Sequence, residues 1–446
     1  MNIPQIVETS IKFILSRFEA NADYPFIDTK FNIASGEDFT PLQEDFRQKD
    51  FIYGWIQGRG LESLAGHVDF FRDRDPVLAE RLQKMCSCVM KKMEENRLAN
   101  NKKVYFAMTP SGASRFPVES DRGNFSMLFY SKGLFAAAAL LNDKEKMSVA
   151  EKLFVDVIND IDNNKFHTDQ HAFDPKNPVA FVPGKFSQGA RMISLYGLAL
   201  LGEKSSPKYL DRAAESISFI FDHHVNSGQF KQLEMFDFIE AIDADKKPYF
   251  DQDKLLCDPG HALEFVGLAA KCLLLMQRNG THTDLLKRSE KLLPGIFRHI
   301  FDLGFQKAGG VMKCFDLISR QAVNSDMPWW SLPELIRAGM ELTALFPGNS
   351  SGIKERVDLA AEAEEYLASI GLTSNEIAKL KGNLAKDLKT EQEFAAEGST
   401  AHIGSETTYV VVRGDSLWLI AKNQLGSGNR WTEIYALNQG ILVKPE

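Results

Sequence analysis

Apolar runs that recur along the chain constrain its fold more than any other sequence feature. They carry few charges and lie at 125–141, 186–201, 261–276 and 332–346. More strongly charged, amphipathic runs separate them, at 144–160, 207–222 and 283–297. A spacing of roughly 60–75 residues is typical of a repeated supersecondary unit. We interpret each unit as a helical hairpin with one buried and one half-exposed helix.

Buried helices without a large sheet must pack on one another, and a ring of helical hairpins places them inside. The sequence therefore predicts an all-α protein with an (α/α)6-type barrel over 1–394, followed by a small α+β module. A two-layer α-solenoid is the alternative, although its repeats are usually shorter, about 33–47 residues, and more uniform. Further predicted elements are helices at 3–19, 76–95, 354–370 and 375–394, a helix starting near 53–55, and a hairpin between 104–108 and 115–118.

The composition is that of an ordinary globular protein and limits the classes of partner. The 446 residues are 44% hydrophobic and 25% charged, with a formal net charge of -8. This charge argues against binding to nucleic acid or to an anionic membrane. We expect no membrane-spanning segment and no secretory signal. Five cysteines, few and odd in number, favour reduced thiols and hence a cytoplasmic location.

The most informative single stretch begins at Asp258. Asp258 is a good N-cap and Pro259 a good first helical residue, so a fully buried helix is predicted from here to about Met276. His261 and Glu264 are three residues apart and share a face in its first turn. The positive helix N-terminus favours a neutral imidazole, which can act as a base in a dry pocket. The alternative is a histidine that only caps or packs.

In a ring of hairpins, the loops before the inner helices converge at one end, and unusual side chains collect there. Aromatic rings beside a cation, carboxylates and a histidine suit sugars, because sugar C–H faces stack on rings and hydroxyls need polar partners. Each residue alone has a plainer interpretation as a core residue or a salt-bridge partner. Besides His261 and Glu264, the candidates are Trp55, Arg59, Glu234, Trp329, Trp330 and Glu334.

Three segments that contain these candidates together resemble the N-acylglucosamine 2-epimerase superfamily, which includes cellobiose 2-epimerases and mannose-type aldose–ketose isomerases. They are 53–59 (YGWIQGR), 259–264 (PGHALE) and the pair Trp329–Trp330 with Glu334 four residues on. The resemblance covers about 45–346 in matching order. It implies a barrel that moves a proton at C2 of an open-chain sugar through an enediolate, with no metal or other cofactor.

The resemblance also implies roles for individual residues. His261 is the base, and Arg59 holds the carbonyl or enediolate oxygen, so both are catalytic. The substrate-binding residues are then Trp55, Glu234, Glu264, Trp329, Trp330 and Glu334. The roles of His261 and Arg59 fit the reaction, because proton abstraction beside a carbonyl needs a base whose pKa is near 7 and a fixed cation at the developing oxyanion.

The last hairpin departs from the family pattern. Family members carry a second catalytic histidine there, but no histidine occurs between His299 and His402. Inversion at C2 normally needs two bases, whereas a shuttle between C1 and C2 needs one. A site with one histidine therefore favours aldose–ketose isomerisation or lost activity, unless a carboxylate such as Glu334 replaces the second base. A glycoside hydrolase on the same barrel and a non-catalytic glycan-binding protein stay open as alternatives.

The C-terminus is separate in character. Residues 395–408 lack bulky apolar side chains and are predicted to be a linker. Residues 409–446 resemble a LysM module, which binds N-acetylglucosamine-containing glycans, although too few residues follow Gly440 for its last strand. The resemblance implies glycan binding by Gly414, Asp415, Ser416 and Leu417. A packing appendage is the alternative, and whether the barrel forms a homodimer is left open.

Metal and nucleotide sites find little support in the sequence. Cys86 and Cys88 lie in one helix that turns them apart, so a metal site there is not expected. His223 and His224 lie near a helix end, where capping of carbonyls is favoured over zinc binding. The sequence contains neither a P-loop nor a dinucleotide fingerprint.

Overall fold

The computed structural model describes residues 3–32, 36–39, 45–116, 123–170, 182–349, 352–371, 400–402, 408–410, 417–427 and 430–438. Helices dominate these residues, and most follow one another as antiparallel pairs. In chain order they are α1 (Ile3–Glu19), α2 (Gly54–Phe71), α3 (Pro76–Ala99), α4 (Phe125–Leu140), α5 (Lys144–Asp162), α6 (Gly189–Lys204), α7 (Tyr209–His223), α8 (Pro259–Arg278), α9 (Thr283–Gly304), α10 (Ser331–Leu345), α11 (Ile353–Gly371), α12 (Leu417–Leu425) and α13 (Trp431–Asn438).

Short polar side chains begin several of these helices. Asp75 accepts the backbone N–H of Leu78 at 3.0 Å, and Asn124 accepts that of Met127 at 2.9 Å. Asp143 does the same at the start of α5. These bonds satisfy N–H groups that have no partner within the helix. The starts of these helices are thus encoded by residues next to them in the sequence.

The even-numbered helices α2 to α10 form the inside of a ring. Within the described residues, α2 packs on α4, α4 on α6, α6 on α8 and α8 on α10, while α3, α5, α7, α9 and α11 each pack outside. Side chains of α2 and α10 line a common cavity, so the first and last inner helices face each other across it. Helix α1 contacts α3 and α11. The predicted ring of helical hairpins is confirmed, and the predicted helix at 375–394 lies outside the described residues.

Small sheets gather the loops at one end of the ring. Strand β1 (Ile52–Tyr53) pairs with β2 (Ala107–Met108), and β3 (Phe186–Ser187) pairs with β4 (Ala241–Ile242). Strands β5 (Leu256–Cys257), β6 (Cys314–Asp316) and β7 (Gln321–Asn324) form a third sheet. Since β1, β3 and β5 come directly before α2, α6 and α8, these sheets hold the starts of three inner helices together.

The hairpin predicted at 104–108 and 115–118 is present only in part. A single antiparallel bridge joins Met108 to Ser114, and the main ladder of this segment is made with β1 instead. The predicted residues 117–118 lie outside the described part of the chain. Pairing with β1 connects two segments more than fifty residues apart, which local sequence patterns do not reveal.

Helix α8 is the most deeply buried element of the ring. Its length, and the mean hydropathy of 1.3 over its most apolar 18 residues, are those of a helix that can cross a membrane, but 89% of that window is buried inside the protein. Apart from His261, its charged residues before the last turn are Glu264 and Lys271. This agrees with the prediction of a helix surrounded by protein on all sides.

The C-terminal unit has a small core of its own. Strand β8 (Thr400–His402) pairs antiparallel with β9 (Thr408–Val410), so the described part of the predicted linker is a strand. Leu417, Ile420, Ala421 and Ile434 form the core between α12 and α13. Leu417 is fully buried there, which contradicts its predicted contact with a glycan. Gly414, Asp415 and Ser416 lie outside the described residues.

Candidate active site

His261 lies in the first turn of α8, and the cap that starts the helix also fixes its position. The Asp258 carboxylate accepts the backbone N–H groups of Gly260 and His261 at 3.0 and 3.3 Å. Pro259 is the first helical residue, as predicted. The His261 side chain lines a cavity of about 740 Å³. Its ring centroid lies 5.5 Å from that of Trp330, which lines the same cavity.

Glu240 determines the charge of His261. Nδ1–H of His261 donates a hydrogen bond to Oε1 of Glu240 at 3.0 Å, and Oδ2 of Asp258 lies 3.5 Å from the same nitrogen. Burial by itself lowers the pKa of His261, but the charge and hydrogen bond of Glu240 outweigh burial and raise it to about 9. The predicted neutral imidazole is therefore wrong. A helix dipole is worth about 0.3–1 kcal/mol, less than this partly buried ion pair.

Replacing Glu240 by glutamine is expected to lower the pKa of His261 from about 9 to 6.5 or below. Without the carboxylate, burial is the largest remaining influence, and it disfavours the charged imidazole. An NMR titration of the histidine ring resonances measures the change. His223, whose pKa is lowered chiefly by burial and on which Glu240 does not act, is the internal control. A His261 pKa that stays near 9 in the variant would show that Glu240 is not its charge partner.

Arg59 reaches the same cavity from α2. A Cβ atom on Gly58 would lie 2.7 Å from the backbone of Phe129, so this glycine lets α2 and α4 pack closely. The guanidinium carbon of Arg59 then lies 5.3 Å from the ring centroid of Phe129, in a cation–π contact. One turn earlier, Trp55 lines the cavity, and its Nε1–H donates to Asp169 at 3.3 Å. Arg59 also lines a second cavity of about 550 Å³.

The predicted glutamates Glu264 and Glu334 differ in their partners. Glu264 lines both cavities, while Glu334 lines the second one. Glu334 forms an ion pair with Arg337, one turn further along α10. The Glu264 residue is only 9% exposed, and among the described residues nothing hydrogen-bonds to its carboxylate. Burial raises the pKa of Glu264 to about 7, and the negative charge of Glu334 acts in the same direction.

Two of the predicted site residues lie elsewhere. The Glu234 side chain is 61% exposed and pairs with Arg320 at 2.9 Å. Trp329 packs against the hydrophobic core. Neither lines either cavity. The chain turns between Glu234 and β4, and it is Glu240, directly before β4, that reaches His261.

Sequence reasoning missed two residues of this site. Glu240 stands alone as a carboxylate in the apolar run 238–242 (FIEAI), a signal that indicates a buried, partnered acid. Lys313 lines the cavity, forms an ion pair with Asp258, and places Nζ 5.2 Å from the Trp330 ring centroid. Nothing in the sequence around Lys313 indicates this position, because it depends on the pairing of β5 with β6.

A group of possible metal ligands lies outside the cavities. Ligand atoms of Glu234, Asp237 and His299 lie within 4.8 Å of one another. Arg320 donates to Asp237 and to Glu234 at 2.9 Å, and Nε2 of His299 lies 2.7 Å from Asp237. Because the guanidinium of Arg320 already pairs with both carboxylates, its positive charge disfavours binding of a metal cation here. We interpret this group as an ion-pair network that holds the loop after α7 to the third sheet.

The ring of hairpins around a polar, aromatic cavity is an (α/α)6 barrel, as predicted. A sequence profile for N-acylglucosamine 2-epimerase (GlcNAc 2-epimerase) matches residues 83–373, well over half of the chain. The chain therefore belongs to the N-acylglucosamine 2-epimerase family. A LysM domain profile matches residues 409–441. LysM domains bind glycans, and a glycan partner for this unit stays a prediction. No curated protein sequence gives a significant match.

Solved structures of sugar epimerases and isomerases share the fold. Cellobiose 2-epimerase from Bacillus thermoamylovorans is 12% identical, with a TM-score of 0.53 over 70% of this chain and 75% of that one. A D-mannose isomerase is 14% identical, with a TM-score of 0.55 over 80% and 86%. Cellobiose 2-epimerase from Spirochaeta thermophila is 12% identical, with a TM-score of 0.54 over 79% and 84%. At these identities the likeness shows the fold alone.

Proposed function

We propose that the chain is a sugar 2-epimerase or aldose–ketose isomerase that moves a proton at C2 of an open-chain sugar. One observation carries the proposal. A histidine held by a carboxylate, His261 with Glu240, lines a cavity that also contains the guanidinium of Arg59 and the ring of Trp330. Membership of the N-acylglucosamine 2-epimerase family supports it.

The chemistry of the reaction matches these groups. Removing the C2 proton moves electrons onto the carbonyl oxygen O1 and gives an enediolate, whose negative charge a fixed cation stabilises. Arg59 supplies that cation. Because Glu240 raises the pKa of His261 to about 9, the ring is an imidazolium at neutral pH. It donates a proton in one direction of the reaction and accepts one in the reverse direction.

The walls of the cavity suit a sugar. Trp55, Phe125, Phe129 and Trp330 line it and offer ring faces to C–H groups. Lys313 supplies a polar group on the same wall as Trp330. A volume of about 740 Å³ lies within the usual range for small-molecule sites, about 300–1,000 Å³. These features support a mono- or disaccharide substrate.

Incubation with sugars in deuterium oxide tests the proposal. We expect the purified protein to incorporate deuterium at C2 of mannose, glucose or an N-acylglucosamine, or to form the matching ketose or 2-epimer. Proton NMR follows the loss of the C2 signal, and chromatography identifies the product. Neither exchange nor product formation across a broad panel of aldoses and ketoses would overturn the proposal. Release of new reducing ends from oligosaccharides would instead indicate a glycoside hydrolase.

A further inference from the structure

Glu264 is a carboxylate whose burial no protein partner explains. It is only 9% exposed, and among the described residues its carboxylate accepts no hydrogen bond and forms no ion pair. A buried carboxylate normally has such partners, because removing its charge from water is costly. Glu264 lines both cavities, at the point where they share Arg59 and Phe129. This side chain is therefore available to a ligand in the cavity.

The other carboxylates that line the two cavities already have cationic partners. Glu334, the carboxylate that the sequence suggested as a second base, is paired with Arg337. Glu62 forms an ion pair with Lys132 at 2.6 Å. Glu240, which lines neither cavity, accepts the hydrogen bond from His261.

His224, a second histidine that lines the first cavity, is poorly suited to take a proton. Its Nδ1–H donates to the carbonyl of Ile239 at 2.9 Å, and it is 1% exposed. Burial lowers the pKa of His224 to about 4, which makes it a weak base.

We propose that Glu264 is the second proton-transfer residue of this site and works as a pair with His261. The proposal rests on the proposed function and deepens it. Residues three apart on a helix share a face, so both side chains approach the substrate from the same side, that of α8. In this arrangement the missing histidine of the last hairpin is not needed, because the second group comes from the same helix as the first.

The step balances without any further reactant. The Glu264 carboxylate takes the C2 proton, the C–H electron pair forms the C1–C2 double bond, and the carbonyl π electrons move onto O1 beside Arg59. The imidazolium of His261, on the same side of the sugar as Glu264, gives its proton to O1 and leaves a neutral enediol. Glu264 then returns its proton to C1 while the neutral His261 takes the proton of the C2 hydroxyl, and the O2 electrons form the C2 carbonyl. The product is the ketose, and both side chains end in their starting protonation states.

The charges around Glu264 set the pH range in which this pair works. Glu334 and Arg337 face it from α10, Arg59 from α2, and His261 from its own helix, and together with burial they hold its pKa at about 7. The pair is ready when Glu264 is ionised and His261 is protonated. We therefore expect kcat/KM to rise as pH increases through about 7 and to fall as pH increases through about 9.

The variant Glu264→Gln tests the proposal, because glutamine keeps the shape and hydrogen-bonding capacity of the side chain but cannot take a proton. We expect C2 exchange in deuterium oxide to fall by at least about a hundredfold. The loss should appear in kcat with KM little changed, and the rise near pH 7 should be absent from the residual activity. A residue that only orients hydroxyls would change KM and leave the pH profile as it is.

A stability measurement shows that the variant folds. Since burial raises the pKa of Glu264, its ionisation destabilises the folded state as pH rises from about 4.5 to about 7. Glu264→Gln removes this effect and should melt several degrees above the wild type at pH 8. The matched control is Glu94→Gln. Glu94 is 8% exposed but pairs with Arg97 outside both cavities, so the variant should melt lower and keep its exchange rate.

The outcomes separate the two proposals. If the wild type exchanges C2 protons and Glu264→Gln does so within about threefold, Glu264 is not a proton-transfer residue, and only this inference fails. If the wild type exchanges the C2 proton of no sugar in the panel, the proposed function fails, and this inference, which rests on it, fails as well. A loss of exchange in Glu264→Gln, with a raised melting temperature and with wild-type exchange in Glu94→Gln, confirms both proposals.

Discussion

Replacing His261 by alanine is expected to lower kcat/KM for C2 exchange by about a thousandfold, within the range of 10²–10⁴ typical for a general acid–base group. The imidazolium is the one proton donor that Glu240 orients in the larger cavity, with Nδ1 3.0 Å from the carboxylate. Alanine removes both the proton and the ring that packs 5.5 Å from Trp330. Deuterium incorporation at C2, followed by NMR with the best substrate of the panel, measures the loss.

The control for this variant is His282→Asn. His282 is also paired with a carboxylate, Asp211 at 3.0 Å, but lies outside the cavities. Its φ of 54° is one that asparagine adopts readily, so the change should not strain the backbone. Exchange by His282→Asn should equal that of the wild type. Exchange by His261→Ala at more than a tenth of the wild-type rate would show that His261 does not transfer the proton.

The thermal stability of His261→Ala, compared with the wild type, is expected to depend on pH. The folded pKa of about 9 lies above the ordinary 6.5, so protonated His261 stabilises the fold fully below about pH 6.5, and the stabilisation is lost as pH rises through about 9. His261→Ala should therefore melt below the wild type at pH 6 and close to it at pH 10. Thermal melts at both pH values separate lost chemistry from lost structure.

Replacing Arg59 by methionine is expected to lower kcat by roughly 10²–10³-fold, the usual effect of removing one group that stabilises an oxyanion. The positive charge lies beside both cavities and is held over the ring of Phe129, so it is placed before the enediolate forms. Arg59→Lys keeps the charge but loses the planar contact with the ring and should recover part of the loss. Steady-state kinetics with the substrate found in the exchange assay measures both.

The matched control is Arg288→Met. Its guanidinium carbon lies 5.3 Å from the ring centroid of Phe221, the same separation as in the Arg59 contact, and it pairs with Asp222 away from the cavities. This variant should keep the wild-type kcat. If Arg59→Met stays within about threefold of the wild type, stabilisation of the enediolate must come from another group, and Lys313 is then the next cation to replace.

Glu264 and Glu334 look equivalent in the sequence, and only the structure shows which of the two is paired. Both glutamates lie at starts of buried helices, and the sequence assigns both to substrate binding. Which of them is free depends on Arg337, whose side chain reaches Glu334 one turn away. An i, i+3 pair can be recognised in the sequence, but whether it forms depends on the neighbours that compete for it. Those neighbours lie on α2 and α8.

The sequence by itself determined the elements and their order. N-caps such as Asp258, the first-turn proline Pro259 and the spacing of apolar residues act within a few residues, so the start of α8 and the ring of hairpins are predictable from them. Only the tertiary structure decided the charge of His261. Glu240 comes from a different segment, 21 residues earlier, and reaches the ring because β3 pairs with β4. Electrostatic energies depend on distance in space, which a linear pattern does not contain.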